Sequence, residues 1–243
     1  MSGYSASAPG RGSRRRRPLR TLLVVVIVLL GLLVAADFAA RAVAEEVFAS
    51  QVQSNGFPRK PSVSIKGFPF LTQLAARNFQ QIDLSSANVP EGPVTIKTVN
   101  ATLNGVHLNS NFKSGTVDRL AGSAFISFPE VSSALQSQAG PLGALVGSAG
   151  LTLSSVGNNE VRASVNLVVT SGSATWRITQ VSGNELEAQL VGSSGLPSAV
   201  LNSVASIKLP LPSLPFNLTI HDVSVTPDGI VGQLDGNNVS FGS

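Results

Sequence analysis

Cysteine is absent from the 243 residues. That excludes disulfides, thiolate metal sites, cysteine nucleophiles and a lipoprotein-type lipid attachment. Histidine occurs only as His107 and His221, in unrelated strand contexts without metal-ligand spacing. No Gly-x-Ser-x-Gly elbow, phosphate loop or dinucleotide fingerprint is present. The neighbouring carboxylates Glu45 and Glu46, and Glu185 and Glu187, read as solvated faces. The chain is therefore expected not to be an enzyme and to need no metal and no cofactor. Charge is also scarce. Only 12% of residues are charged, about half the ~25% usual for soluble domains. The surface must be made largely of Ser, Thr, Asn, Gln and Gly, which suits an exported protein that meets lipid or cell-wall polymer.

The charge that exists is unevenly placed. Arg11, Arg14, Arg15, Arg16, Arg17 and Arg20 precede an almost purely apolar run, Thr21 to Ala36. Removing these six arginines turns a net charge of +4 into −2. The basic isoelectric point thus reports membrane topology, with the basic end in the cytoplasm, and no nucleic-acid surface is expected. The run is shorter than the ~20 residues of a relaxed spanning helix and longer than most signal-peptide cores. Val34-Ala35-Ala36 and Ala40-Arg41-Ala42 both offer small residues to a signal peptidase. A retained anchor and a cleaved signal both fit the pattern. Either places residues 37–243 beyond the cytoplasmic membrane, in the periplasm.

Three regions are expected: a disordered basic cytoplasmic tail over 1–18, the transmembrane or signal segment over 19–36, and one domain over 37–243. Asp37 to Gln53 reads as a helix, with Phe38, Ala42, Val43 and Val47 near one face. Asn55-Gly56 ends it, and Pro58 and Pro61 prevent resumption. Beyond that point the period is two. Ser62–Lys66, Gln81–Leu84, Val94–Lys97 and Val99–Asn104 alternate, the last out of phase with its predecessor, which predicts a bulge near Thr98. Further strands are expected over Glu160–Val169, Ser173–Val181, Glu185–Val191, Asn217–Val225 and Gly229–Leu234. The Thr226-Pro227-Asp228-Gly229 turn should make the last two a hairpin. Pro129–Gln138 and Pro197–Ser206 read as helices. Ile207–Phe216, with three prolines, must be extended and cannot be a central strand. The interspersed pattern favours an α+β fold with a mostly antiparallel sheet. Asn100-Ala101-Thr102, Asn217-Leu218-Thr219 and Asn238-Val239-Ser240 read as chance matches to the glycosylation pattern.

Large apolar side chains are few and unusually placed. Gly67-Phe68-Pro69-Phe70-Leu71 sets two phenylalanines around a proline, and Phe79, Phe125, Phe128 and Trp176 add to the stock. They either pack a core or line a lipid-accepting interior. Phe68, Phe70, Leu71, Leu74, Leu103, Phe125, Phe128 and Leu135 are the candidate lipid-binding residues. Gly140 to Gly150, apolar and uncharged, is either a buried connection or a membrane-touching loop, with Leu142, Leu145 and Val146 as candidate bilayer contacts.

The apolar N-terminal segment is followed by a short helix, Gly67-Phe68-Pro69-Phe70-Leu71 with Gln73-Leu74-Ala75, and a long β series. Leu209-Pro210-Leu211-Pro212-Ser213-Leu214-Pro215 and the closing Val223-Ser224-Val225-Thr226-Pro227-Asp228-Gly229 come next. In this order they resemble the LmeA-like family of actinobacterial phospholipid-binding proteins, over nearly all of residues 37–243. The resemblance implies a periplasmic domain that binds phospholipid, phosphatidylinositol included. In mycobacterial relatives it implies a part in elongating the mannan of lipomannan and lipoarabinomannan. It also implies a tubular lipid-binding architecture, a strongly bent antiparallel sheet wrapped around a helix. The competing expectation is a structural or interaction protein of the envelope with a solid core. That second reading carries a partner-binding surface, and neither reading identifies a protein partner.

Overall fold

The computed structural model describes residues 17–54, 57–91, 94–137, 151–166, 171–182, 185–203, 205–210 and 219–242. The candidate contacts Leu142, Leu145 and Val146, and most of the proline-rich stretch, lie outside them. Helix α1 (Arg17–Ser54) is 38 residues long and runs without interruption from the apolar run into the region that follows it. It is long and apolar enough to cross a membrane, a property shared by anchors and by N-terminal signal segments. After it come β1 (Ser62–Lys66), α2 (Phe70–Ala76), β2 (Asn78–Glu91), β3 (Val94–Leu108), β4 (Gly115–Ser127) and α3 (Phe128–Ser137). Strands β5 (Leu151–Gly157), β6 (Glu160–Asn166), β7 (Ser171–Ser182) and β8 (Glu185–Ser194) follow. The described chain closes with α4 (Ser198–Ser203), β9 (Ser206–Pro210), β10 (Thr219–Thr226) and β11 (Gly229–Phe241).

The expected α+β class and antiparallel pairing hold, and the strands divide between two sheets. One is six-stranded in the order β1-β2-β3-β4-β11-β10, the other five-stranded and sequential from β5 to β9. The C-terminal hairpin forms as expected, with Thr226 opposite Gly229. Gly229 approaches β4 so closely that a Cβ would stand 2.1 Å from the Ile126 carbonyl oxygen. The prolines confine β9 to the edge of the second sheet, where missing N–H donors break no ladder.

The second half of α1 lies on the larger sheet. Its inward residues are Ala40, Ala44, Phe48 and Ala49, packed against Val63, Ile65, Phe70, Phe79, Ile82, Val106, Val117 and Val239. The alanines let the helix axis approach the strands. Phe38, Val43 and Val47, grouped by their spacing in the sequence, point outward and are exposed. The sheet is not closed, and both its edges are covered. On the β1 edge the Ile65 N–H donates to the Glu45 carboxylate of α1 at 2.8 Å. On the β10 edge Asn159, in the β5–β6 turn, donates to the Val223 carbonyl at 3.0 Å and accepts from the Val225 N–H at 2.7 Å. The same side chain donates to the Ile178 carbonyl at 2.8 Å, tying the two sheets together. Helix α3 packs where the sheets meet, against β3, β4 and β5.

Candidate functional site

In a regular strand only alternate residues share a face. The larger sheet breaks that rule twice. Near its far end the β2–β3 ladder passes from Ala87↔Thr98 to Val89↔Ile96 without a pair at Asn88, where φ is 53°. The phase change read near Thr98 is therefore real. It is not a bulge, however, because the register is the same on either side and no residue is inserted. Asn tolerates the left-handed conformation, and the two strands turn over together.

A second turnover crosses four strands. The ladders skip Gly105 opposite Gln80 and opposite Asp118, and skip Asn238 opposite Asp118. Gly105 has φ 62° and Asn238 φ 51°. The consequence is that Leu103 and Val106, three residues apart, face the same side, as do Val117 and Leu120. Between this crease and the last turns of α1 lies a cavity of about 450 Å³, within the ~300–1,000 Å³ range of small-molecule sites. Its walls are Phe48 and Val52 of α1, Phe57, and Leu84, Ala101, Leu103, Val106, Val117, Leu120, Val239 and Phe241 of the sheet. Exposed Gln51, Phe112, Lys113 and Gly242 complete the lining.

Lys113 is the one charged residue on this wall, and among the described residues it forms no ion pair. The β3–β4 loop that carries it is held by its own hydrogen bonds. Asn109 N–H donates to the Ser114 carbonyl at 2.8 Å and Lys113 N–H to the Asn111 side chain at 2.9 Å. An apolar chamber with a single cationic side chain at its edge can accept a flexible hydrocarbon with an anionic end. Burial of such a chain is favoured by ~0.8 kcal/mol per methylene.

The eight candidates from the sequence are dispersed. Leu103 lies on the cavity wall. Phe70 is fully buried and packs against Phe79, ring centroids 6.1 Å apart, in the solid part of the core. Leu74 packs beside the same cluster. Phe68 is 59% and Leu71 40% exposed, at the opposite end of the helix–sheet layer. Phe125 sits half-buried near the C-terminal end of β4, while Phe128 and Leu135 belong to α3. Sequence reasoning missed the remaining walls. Their signal was the three-residue step from Leu103 to Val106 around Asn104-Gly105, repeated from Val117 to Leu120.

Charged groups elsewhere serve the scaffold. On β2, Asp83 lies below the ordinary carboxylate range, chiefly because the Gln81 amide donates to it at 2.8 Å, with Thr102 and Lys66 adding to the effect. His107 stands 3.3 Å from Asp118 and His221 3.5 Å from Asp235. Among the described residues no three His, Cys, Asp or Glu side chains converge as a metal site would require.

A long helix lies on an open, creased antiparallel sheet, with an apolar chamber between them. Residues 35–235 match the LmeA-like phospholipid-binding family, and the chain belongs to that family. No curated protein and no solved structure gives a significant match.

Proposed function

We propose that the protein holds a phospholipid with acyl chain in the α1–sheet cavity and phosphate toward Lys113, and that it does so without a chemical step. The observation that carries this is the apolar wall formed across the crease, in a chain of phospholipid-binding family. The leader arginines beside the apolar run support an anchored or exported domain on the periplasmic side of the cytoplasmic membrane. Phosphatidylinositol is proposed among the ligands, and support of mannan elongation in lipomannan and lipoarabinomannan as the cellular role. Both are supported by the family resemblance.

The test uses residues 37–243, so that lipid around the apolar run does not count. Lipid extracted per protein is measured after incubation with phosphatidylcholine or phosphatidylinositol vesicles. Wild type should carry phospholipid. Leu103→Trp, which fills the chamber, should lose most of it with little change in melting temperature. Lys113→Glu should lose anionic lipid selectively. Phe70→Ala should instead lose ~3–5 kcal/mol of stability, as truncation in a packed core does. A wild-type domain that takes up no phospholipid ends the proposal.

A further inference from the structure

Between Thr21 and Ala40 the chain contains a single charged residue, Asp37. In the sequence it terminates the apolar run. In the structure it is 4% exposed. Its two carboxylate oxygens accept the N–H groups of Phe70 at 2.9 Å and Leu71 at 2.7 Å, so the first turn of α2 lies over it. Helix α2 itself, FLTQLAA, carries no charge. What remains outside at this level is Ala35, Ala36, Phe38 and Ala39 of α1, together with Phe68 and Leu71. Phe38 is 56% exposed and stacks on Phe68 with ring centroids 6.3 Å apart. The next charge, Arg41, is paired with Glu45 at 3.0 Å.

Hiding Asp37 lengthens the uncharged outer surface from Thr21–Ala36 to Thr21–Ala40. At 1.5 Å per residue that is a change from ~24 Å to ~30 Å, and ~30 Å is the thickness of a bilayer's hydrocarbon core. We infer that α2 is a membrane seat: it masks Asp37 and places Phe68 and Leu71, beside Phe38, in the interfacial layer of the bilayer. The occupant is a lipid surface because the patch is continuous with the exposed apolar face of α1, and aromatic and Leu side chains are the residues that interfacial layers accept. The inference rests on the reading of α1 as a membrane span.

The absence of native cysteine makes single-site labelling clean. Full-length Phe68→Cys and Leu71→Cys, labelled with a polarity-sensitive fluorophore, are placed in phosphatidylcholine–phosphatidylglycerol vesicles containing doxyl-labelled lipid. Leu29→Cys in the apolar run and Val156→Cys on β5 serve as the lipid and water references. The seat requires labels at 68 and 71 to be blue-shifted and quenched by the lipid-borne quencher, with 156 unaffected. Quenching at 29 but water-like emission at 68 and 71 overturns the seat while leaving the span intact. No quenching at 29 removes the span and the seat together. Labels at 68 and 71 that are shielded from aqueous iodide yet not quenched by lipid mean that protein, such as a second copy, covers the patch, which also overturns the seat.

Discussion

Phe68 and Phe70 stand two positions apart and do different work. The chain turns from extended at Pro69, with ψ 140°, into α2. This sends Phe70 into the core at 0% exposure and leaves Phe68 outside. What holds the turn is Asp37, more than thirty positions earlier, which supplies the cap that Pro69 lacks. A carboxylate at a helix N-terminus satisfies otherwise unpaired N–H groups and complements the helix dipole. Asp37→Ala is therefore expected to cost toward the upper part of the ~0.5–2 kcal/mol range for lost caps, because the orphaned donor of Phe70 is buried. Denaturant unfolding of the chain in micelles gives the cost. Faster amide exchange at Phe70 and Leu71 gives its location, and unchanged protection at both would show that the carboxylate is dispensable.

At the scale of elements, the crease decides what the larger sheet can do. Without it Leu103 and Val106 would face opposite sides, and so would Val117 and Leu120. The wall then would have gaps where the cavity now has side chains. Gly105 is the residue that makes the turnover inexpensive: its φ is 62°, and a Cβ there would stand 2.1 Å from Asp118 Oδ2. Gly105→Ala is expected to lose roughly 1–2 kcal/mol, the cost of left-handed backbone for an L-residue. Adding Asp118→Ala should recover only the steric part, since it removes the carboxylate, 3.3 Å from His107 and 63% exposed, but not the left-handed backbone. Equal denaturation midpoints for wild type and Gly105→Ala would show that the crease does not depend on glycine.

For the whole molecule, α1 sets the geometry. Phe48 and Val52 border the cavity, and at 1.5 Å per residue they lie about 12–18 Å beyond Ala40 along the helix. The helix also discriminates between the two small-residue sites. A cut after Ala36 leaves Asp37, Ala40, Ala44, Phe48 and Ala49 in place, whereas a cut after Ala42 removes the α2 cap and the first inward alanine. A chain beginning at Asp37 is expected to melt close to the full-length domain. One beginning at Val43 should melt several degrees lower, in line with a loss of a few kcal/mol for a domain of this size. Thermal unfolding of the two truncations measures this, and equal melting would mean that α1 is a tether only.

Local pattern sufficed for much of this. The basic leader and apolar run, the α+β class, β1, the β10–β11 hairpin, α3 and the edge position of β9 follow from period, turn chemistry and proline, which act within a few residues. The family was legible from the order of a few motifs. Contacts far apart in sequence were not. Asp37 looked like the end of an apolar run until α2 covered it, and spacing did not decide which face of the helix packs until the alanines set it. Leu103 was recognisable as apolar, but its partners Phe48, Val117, Leu120, Val239 and Phe241 come from other elements. Their convergence depends on aligned turnovers in neighbouring strands. Sequence period reports which residues of one strand share a face, whereas a cavity is a relation between faces, and only the packing of α1 across four strands brings those faces together.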